Sequence, residues 1–195
     1  MKKLIVLSII AVMTQSLSAQ IYLAKTCEIS FFSESPLENI TAVNKVAKPI
    51  VNTSTNDVQV KIPMVGFKFE KPLMEEHFNE NYIETDAKGP NDAAGNTTYP
   101  NKNAIFKGKI NETIDWTKDG EYKVTVTGKL TIHGVEKDRT IDGTVKIKGQ
   151  EITLSTKFNI HIADHNIKVP SLYVKNIAED VEVKLDAVLT PFKKN

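Results

Sequence analysis

Arginine is almost missing from this sequence: Arg139 stands alone against a background of lysine. A chain with one guanidinium has almost no capacity for the bidentate grip on phosphate that nucleotide and nucleic-acid sites use. Cysteine is as scarce. Cys27 has no second cysteine to pair with, so no internal disulfide staples the fold. Its expected state is a buried, inert thiol. The nine glycines are scattered and never cluster ahead of a helical run, which leaves no phosphate-cradling loop. Neither sign of charge prevails, with 25 Lys and Arg against 24 Asp and Glu. There is therefore no electrostatic case for nucleic acid or for an anionic membrane.

Long apolar runs are also lacking. The longest, Leu4 to Met13 with Ser8 as its one polar member, is too short to cross a bilayer, which takes about 20 apolar residues. It follows Lys2 and Lys3 and precedes the small-residue site Leu17-Ser18-Ala19, the three-part pattern of a secretory signal. Residues 1–19 are read as that signal and residues 20–195 as one domain, periplasmic or secreted, with no stable membrane anchor. Losing Lys2 and Lys3 leaves 23 basic against 24 acidic residues. A domain of this size can bury a real core without staples, which fits the single cysteine.

What is present is alternation. From Tyr122 to Ile132, Tyr122, Val124, Val126, Leu130 and Ile132 alternate with Lys123, Thr125, Thr127, Lys129 and Thr131. A period of two over such a run is a strand with one dry face. The pattern recurs at Thr26–Phe32, weakly at Ile40–Val46, and at Asp57–Met64 through Val58, Val60 and Ile62. It recurs again at Ala104–Ile110 through Phe106, at Asp138–Lys148, in Ile152, Leu154, Phe158, Ile160 and Ile162, and in Val181, Val183, Leu185, Ala187 and Leu189. Pro63 cannot donate to a ladder, so its strand is expected to lie at an edge or to bulge there. About eight strands with a consistently wet face predict an all-β domain. Its sheet is antiparallel and either closes into a barrel or packs against a second sheet. Eight strands close around filling side chains or one small ligand.

One short helix is expected after the third of these strands. Pro72 suits a first helical position, and Met74, Phe78 and Tyr82 fall on one stripe. Its plain role is to plug a barrel end or to cover a sheet. Asp86 to Asn103 then reads as a long loop insertion, because twelve of its eighteen residues are Gly, Pro, Asn, Asp or Thr. Loops this long are either functional flaps or tolerated insertions.

The candidates for chemistry are thin. His77, His133, His161 and His165 make no metal motif, and His161 and His165 lie on a strand running into a loop, where a four-residue spacing does not converge. Asp164-His165 could orient each other as part of a hydrolase, but no nucleophile signature accompanies them. No metal, no cofactor and no catalytic residue is expected.

Several segments together resemble the YceI-like family of bacterial polyisoprenoid-binding proteins. They are Gly66-Phe67-Lys68-Phe69, Leu73-Met74-Glu75-Glu76-His77-Phe78, Tyr99-Pro100 followed by Phe106-Lys107-Gly108, and above all Gly128-Lys129-Leu130-Thr131-Ile132-His133-Gly134-Val135-Glu136-Lys137. The closing strand Val181–Leu189 fits as well, and the resemblance spans about Ala24 to Phe192. It implies a lipocalin-like antiparallel barrel in the periplasm that holds a long isoprenoid chain, such as a polyprenyl phosphate or a quinone, and that has no catalytic activity. This sequence departs from the pattern in the lengthened link Asp86–Thr98 and in extra residues between Pro100 and Phe106.

Alternation together with the resemblance nominates a ligand-lining interior. Its members are Val58, Val60, Ile62, Phe106, Tyr122, Val124, Val126, Leu130, Leu154, Phe158, Val183 and Leu185, with Met74 and Phe78 at the barrel end. His133, Lys137 and Arg139, in or beside one turn, are the candidates for contact with a head group; their plainer reading is a solvated turn. If the interior is hollow, the partner is an apolar isoprenoid lipid that the protein sequesters or carries. Packed and hollow barrels share the same alternation, so the interior could equally be filled. The other architecture to weigh is a secreted β-sandwich that binds protein or carbohydrate through loop 86–103.

Overall fold

The computed structural model describes residues 21–34, 39–168 and 178–192. The signal-like residues 1–19 lie outside the described residues. Ten strands form one antiparallel sheet: β1 (Ile21–Ser33), β2 (Ile40–Asn44), β3 (Lys48–Asn52), β4 (Asp57–Pro63), β5 (Phe67–Phe69), β6 (Asn103–Ile110), β7 (Gly120–Ile132), β8 (Val135–Lys148), β9 (Glu151–His161) and β10 (Asp180–Pro191). β1 pairs antiparallel with β10 from Tyr22↔Pro191 to Phe32↔Glu182. That ladder closes eight of the strands into a barrel in the order β1-β10-β9-β8-β7-β6-β4-β3 and excludes the sandwich.

The count of eight holds, but its membership differs from the sequence expectation. β2 lies outside the ring, and β3 takes a place in it. β3 is short and carries Pro49, a residue that strand interiors avoid. Pro49 stands one residue beyond the ladder with β1, which ends at Leu23↔Ile50, and such strand ends tolerate proline. Pro63 follows the same logic: β3 leaves off at Lys48↔Lys61, so Pro63 has only β6 alongside, at Asn103.

β1 organises the shape. A bulge between Ala24 and Thr26 shifts its register, adding a bend. It keeps Tyr22 and Cys27, Ile29 and Ser33 all buried on the inner side. Before the bulge β1 pairs with β3; beyond it, Ile29–Ser33 pairs with β2, and β2 carries β5. The wall therefore flares into a two-stranded flap at one end. Buried Asn44 holds the flap in place. Its Nδ2 donates to the Pro63 carbonyl at 2.8 Å, and its Oδ1 accepts from the Val46 and Ala47 amides at 3.0 and 3.1 Å. Gly66 is glycine for this reason: a Cβ there would stand 2.7 Å from Asn44 Nδ2 and 2.4 Å from Val46 Cγ2.

At the flared end, α1 (Pro72–His77) continues into a π turn over Phe78–Tyr82. A six-residue helix is marginal alone. Contacts to β5 hold it: Glu75 pairs with Lys68 and accepts from the Phe69 amide. The helix follows the fifth strand, since two short strands escape sequence reading. Loop 86–103 is folded on itself. Gly89 N donates to Thr98 O, Thr98 Oγ1 to Pro90 O, and Asp92 accepts from Ala94 and Asn96. The turn His133-Gly134 has positive φ at both residues, 51° and 71°, the primed geometry that suits strand twist. Pro100 packs against it, 3.3 Å from where a Gly134 Cβ would stand.

Candidate functional site

The two ends of the barrel differ inside. At the end capped by residues 111–119, Val51, Val58, Ile110, Val124, Val145, Ile147, Ile152 and Leu189 are buried in a continuous core. Ile114 and Trp116 close that end, with Trp116 Nε1 donating to Asn56 Oδ1 at 2.9 Å. At the flared end the core opens into a cavity of about 600 Å³. Pockets of ~300–1,000 Å³ are the range in which proteins enclose small molecules.

The cavity wall is almost wholly apolar. β1 contributes Ile29 and Phe31, β4 Ile62, β5 Phe67 and Phe69, and β6 Ala104. Leu130 and Ile132 come from β7, Phe158 and Ile160 from β9, and Val181 and Val183 from β10. Leu73, Met74, His77, Phe78 and Tyr82 cover it from the helix side, with Lys71 at the helix start. Four rings tie the helix to the flap and to β1. Phe31 stacks on Phe78 at 5.6 Å, and Phe67 and Phe69 meet both at 5.1–5.7 Å. Leu73 lines the cavity and is still 60% exposed, which marks the mouth beside α1.

Of the residues nominated from sequence, Ile62, Met74, Phe78, Leu130, Phe158 and Val183 come together on this wall. Val58, Val60, Phe106, Tyr122, Val124, Val126, Leu154 and Leu185 also belong to the core, but they pack outside the cavity wall. Phe106 sits where the filled part begins: its ring lies against Gly108, 2.7 Å from where a Cβ would stand. Sequence reasoning did not nominate Phe31, Phe67 and Phe69. Phe31 shares a face with Ile29 in the alternating run Thr26–Phe32, and the alternating pair in Gly66-Phe67-Lys68-Phe69 is the available signal for the other two.

His133, Lys137 and Arg139 do not gather into one anion site. Only His133 is in the turn; Lys137 and Arg139 lie along β8. His133 Nδ1 meets the His165 carbonyl at 3.2 Å and its Nε2 faces Glu84 at 3.4 Å. Lys137 is exposed. Arg139 faces Asp164 at 3.5 Å, while its Nε and Nη2 are buried without a hydrogen bond. None of the three lines the cavity. Asp164 and His165 do not orient each other either. The carboxylate goes to Arg139, and His165 Nδ1 meets the Val135 carbonyl at 3.1 Å. His161 Nδ1 faces Asp180 at 3.1 Å.

Among the described residues no group of His, Cys, Asp and Glu could hold a metal. Cys27 faces inward between the ladders, and burial pushes its thiol up to about 11, with Asp186 and Glu28 adding to the effect. A groove of about 590 Å³ lies on the outer face over Thr125, Asp142 and Thr156. It is lined by threonines, lysines and carboxylates, so the interior cavity is the one suited to an apolar guest.

Solved structures share this fold. A polyisoprenoid-binding domain from Saccharophagus degradans, implicated in plant cell wall breakdown, superposes with a TM-score of 0.70 at 14% identity, covering 89% of this chain and 99% of that one. BcnA of Burkholderia cenocepacia gives 0.64 at 18% identity, covering 83% and 95%. A YceI protein of Campylobacter jejuni gives 0.51 at 17%, covering 76% and 81%. No curated protein matches the chain. The family model of the YceI-like domain matches residues 29–189, from the second half of β1 through the closing strand β10, and the chain belongs to the YceI-like domain family.

Proposed function

We propose that this protein takes a long apolar lipid of the isoprenoid kind into the flared end of its barrel and sequesters or carries it in the periplasm. The observation that carries the reading is the cavity of about 600 Å³, walled by aliphatic side chains and a four-phenylalanine cluster under a short helix. Burial of each CH₂ is worth about 0.8 kcal/mol, so a chain of a few isoprene units has ample driving force even after the cost of ordering it. Selection then rests on cavity depth and shape. The description of the S. degradans relative as polyisoprenoid-binding agrees with this reading, and the signal-like N-terminus supports the location.

The polar end of such a ligand belongs at the helix side, where Lys71, His77 and Tyr82 bring the polar groups of the wall. The role is binding rather than catalysis: Asp164 faces Arg139 and His165 Nδ1 faces a backbone carbonyl, so the two make no catalytic pair, and neither lines the cavity. Native mass spectrometry of protein purified from its own periplasm tests the proposal. A bound mass matching a prenyl lipid is expected, and it should be absent from Val183→Trp, which fills the cavity. Protein that comes out empty and takes up no fluorescent prenyl probe sinks the reading.

A further inference from the structure

We propose that the cavity wall contains a lateral door, the seam between β8 and β9, latched by the buried imidazole of His165 and released by acid. The inference rests on the reading of the cavity as the site of an apolar ligand.

The seam is visible in the pairing. β8 and β9 are bonded from Lys148↔Glu151 only as far as Gly143↔Thr156. Beyond that point β8 runs on from Asp142 back to Val135 with β7 alone, and β9 continues to His161 with β10 alone. A barrel wall that loses its ladder must be closed by something else. Here a 3-10 turn, Ile162–His165, lies against both β8 and β9. Ile162 on this turn and Ile167 just after it form part of the cavity wall. The turn therefore stands between that part of the cavity and β8.

Few bonds hold it. His165 Nδ1 meets the Val135 carbonyl at 3.1 Å, His133 Nδ1 meets the His165 carbonyl at 3.2 Å, and Asp164 faces Arg139 at 3.5 Å. A carbonyl only accepts, so the His165 proton sits on Nδ1 and Nε2 keeps its lone pair. That Nε2 is buried without a partner in a side chain that is fully buried. Arg139 Nε and Nη2, close enough to act on His165, are buried without hydrogen bonds as well.

Protonating Nε2 puts a second cation in this seam with no acceptor. The charges that face it are Arg139 and Lys137 from β8 and Asp164 from its own turn. Beyond His133 lies Glu84, and His161 is engaged by Asp180 on the β9 side. Asp164 offsets part of the cost but is shared with Arg139. Burial holds the His165 pKa below its ordinary value, with the Val135 bond opposing and Arg139 assisting. A depressed histidine pKa means that the closed seam is stable above the ordinary value of about 6.5 and weakens as pH falls below it. Relief comes when the turn swings out and both cations are hydrated, leaving Phe158, Ile160 and Ile132 at an open slot.

Hydrogen exchange on the mature protein without ligand tests the latch. Between about pH 7.5 and about pH 5, after correction for intrinsic rates, protection of residues 135–142 and 157–161 should fall by about tenfold or more, while the β3–β4 ladder keeps its protection. His165→Asn retains a donor for Val135 and does not titrate, so the step should vanish; His133→Asn should keep it. A step that persists in His165→Asn, or a uniform loss over the barrel, overturns the proposal. If that variant does not fold, histidine NMR on the unmodified protein decides. The His165 ring should titrate with the midpoint of seam opening, and a ring that stays neutral through the opening rules the latch out. Release of a preloaded fluorescent prenyl probe should accelerate over the same pH range. A seam that opens in a protein that never binds the probe supports the latch and removes the ligand reading; a probe that binds but leaves at a pH-independent rate removes the door.

Discussion

On one side of Gly108 and Gly128 the strands of this barrel close around Val58, Ile110, Val126 and Val145; on the other side the same strands line about 600 Å³ of space. Alternation does not distinguish the two. β7 places Val124, Val126, Leu130 and Ile132 on one inner face, and only the last two reach the cavity. The difference lies in the circumference. At the capped end β1 pairs with β3 and β8 with β9, giving a continuous ring. At the flared end β1 has exchanged β3 for β2, β5 has been added and β8 has parted from β9. A barrel's diameter grows with the strands around it, so side chains that fill the capped end cannot meet across the flared one. A wide wall also has to be closed by non-strand pieces, here α1 and the turn Ile162–His165, which are the natural places for movement.

The sharpest way to break this comparison is truncation. Leu189→Ala, at a fully buried position in the filled half, should cost about 2–5 kcal/mol in chemical denaturation. Ile160→Ala, on the half-buried cavity wall, should cost about 1 kcal/mol, because the space it adds to is already there. Equal losses would mean that the two halves are packed alike.

Overfilling inverts the test. Val126→Trp pushes into packed side chains and should destabilise by about 1–3 kcal/mol, possible unfolding being read from circular dichroism. Val183→Trp has room in the cavity, so it should leave stability nearly intact and abolish uptake of a fluorescent prenyl probe. The comparison fails if Val183→Trp destabilises as much as Val126→Trp.

Asn44→Ala probes the flare itself. It removes the bonds to Pro63, Val46 and Ala47 that hold the flap to the end of β4. Leaving buried backbone groups unpaired should cost about 1–3 kcal/mol. Hydrogen exchange should show the loss concentrated in β2 and β5, with the capped end protected as before. The smallest effect is expected from shortening the loop between Ala87 and Thr98. Its bonds are internal and its side chains exposed, so stability should change by about 0.5 kcal/mol or less. Stopped-flow exchange of a prenyl probe should respond more strongly if the loop bears on the mouth.

Much of this was legible residue by residue. Tyr122–Ile132 announced its strand because the period of two survives any partner, and Pro72 with Met74, Phe78 and Tyr82 announced a helix with one apolar stripe. Lys48–Asn52 and Phe67–Phe69 were not legible, being too short for a period to show and, in the first, interrupted by Pro49. Asn44 fell within the weakly alternating run Ile40–Val46, and nothing local revealed that its amide ties the end of β4 to the bend after β2. Arg139 and Lys137 were read beside a turn, but β8 begins at Val135 and carries both along its length. His165 looked like half of a catalytic pair, and only the path of the chain turned it toward Val135.

The long strands, the side of each that faces inward and a short helix starting at Pro72 were determined by the sequence alone, because alternation and the stripe at i, i+4 and i+8 are local properties of the backbone. Which inward residues fill the barrel and which line its cavity was decided by the tertiary structure. That outcome depends on where β1 changes partner and where β8 leaves β9, and strand pairing between distant segments sets the circumference that a fixed set of side chains must cover.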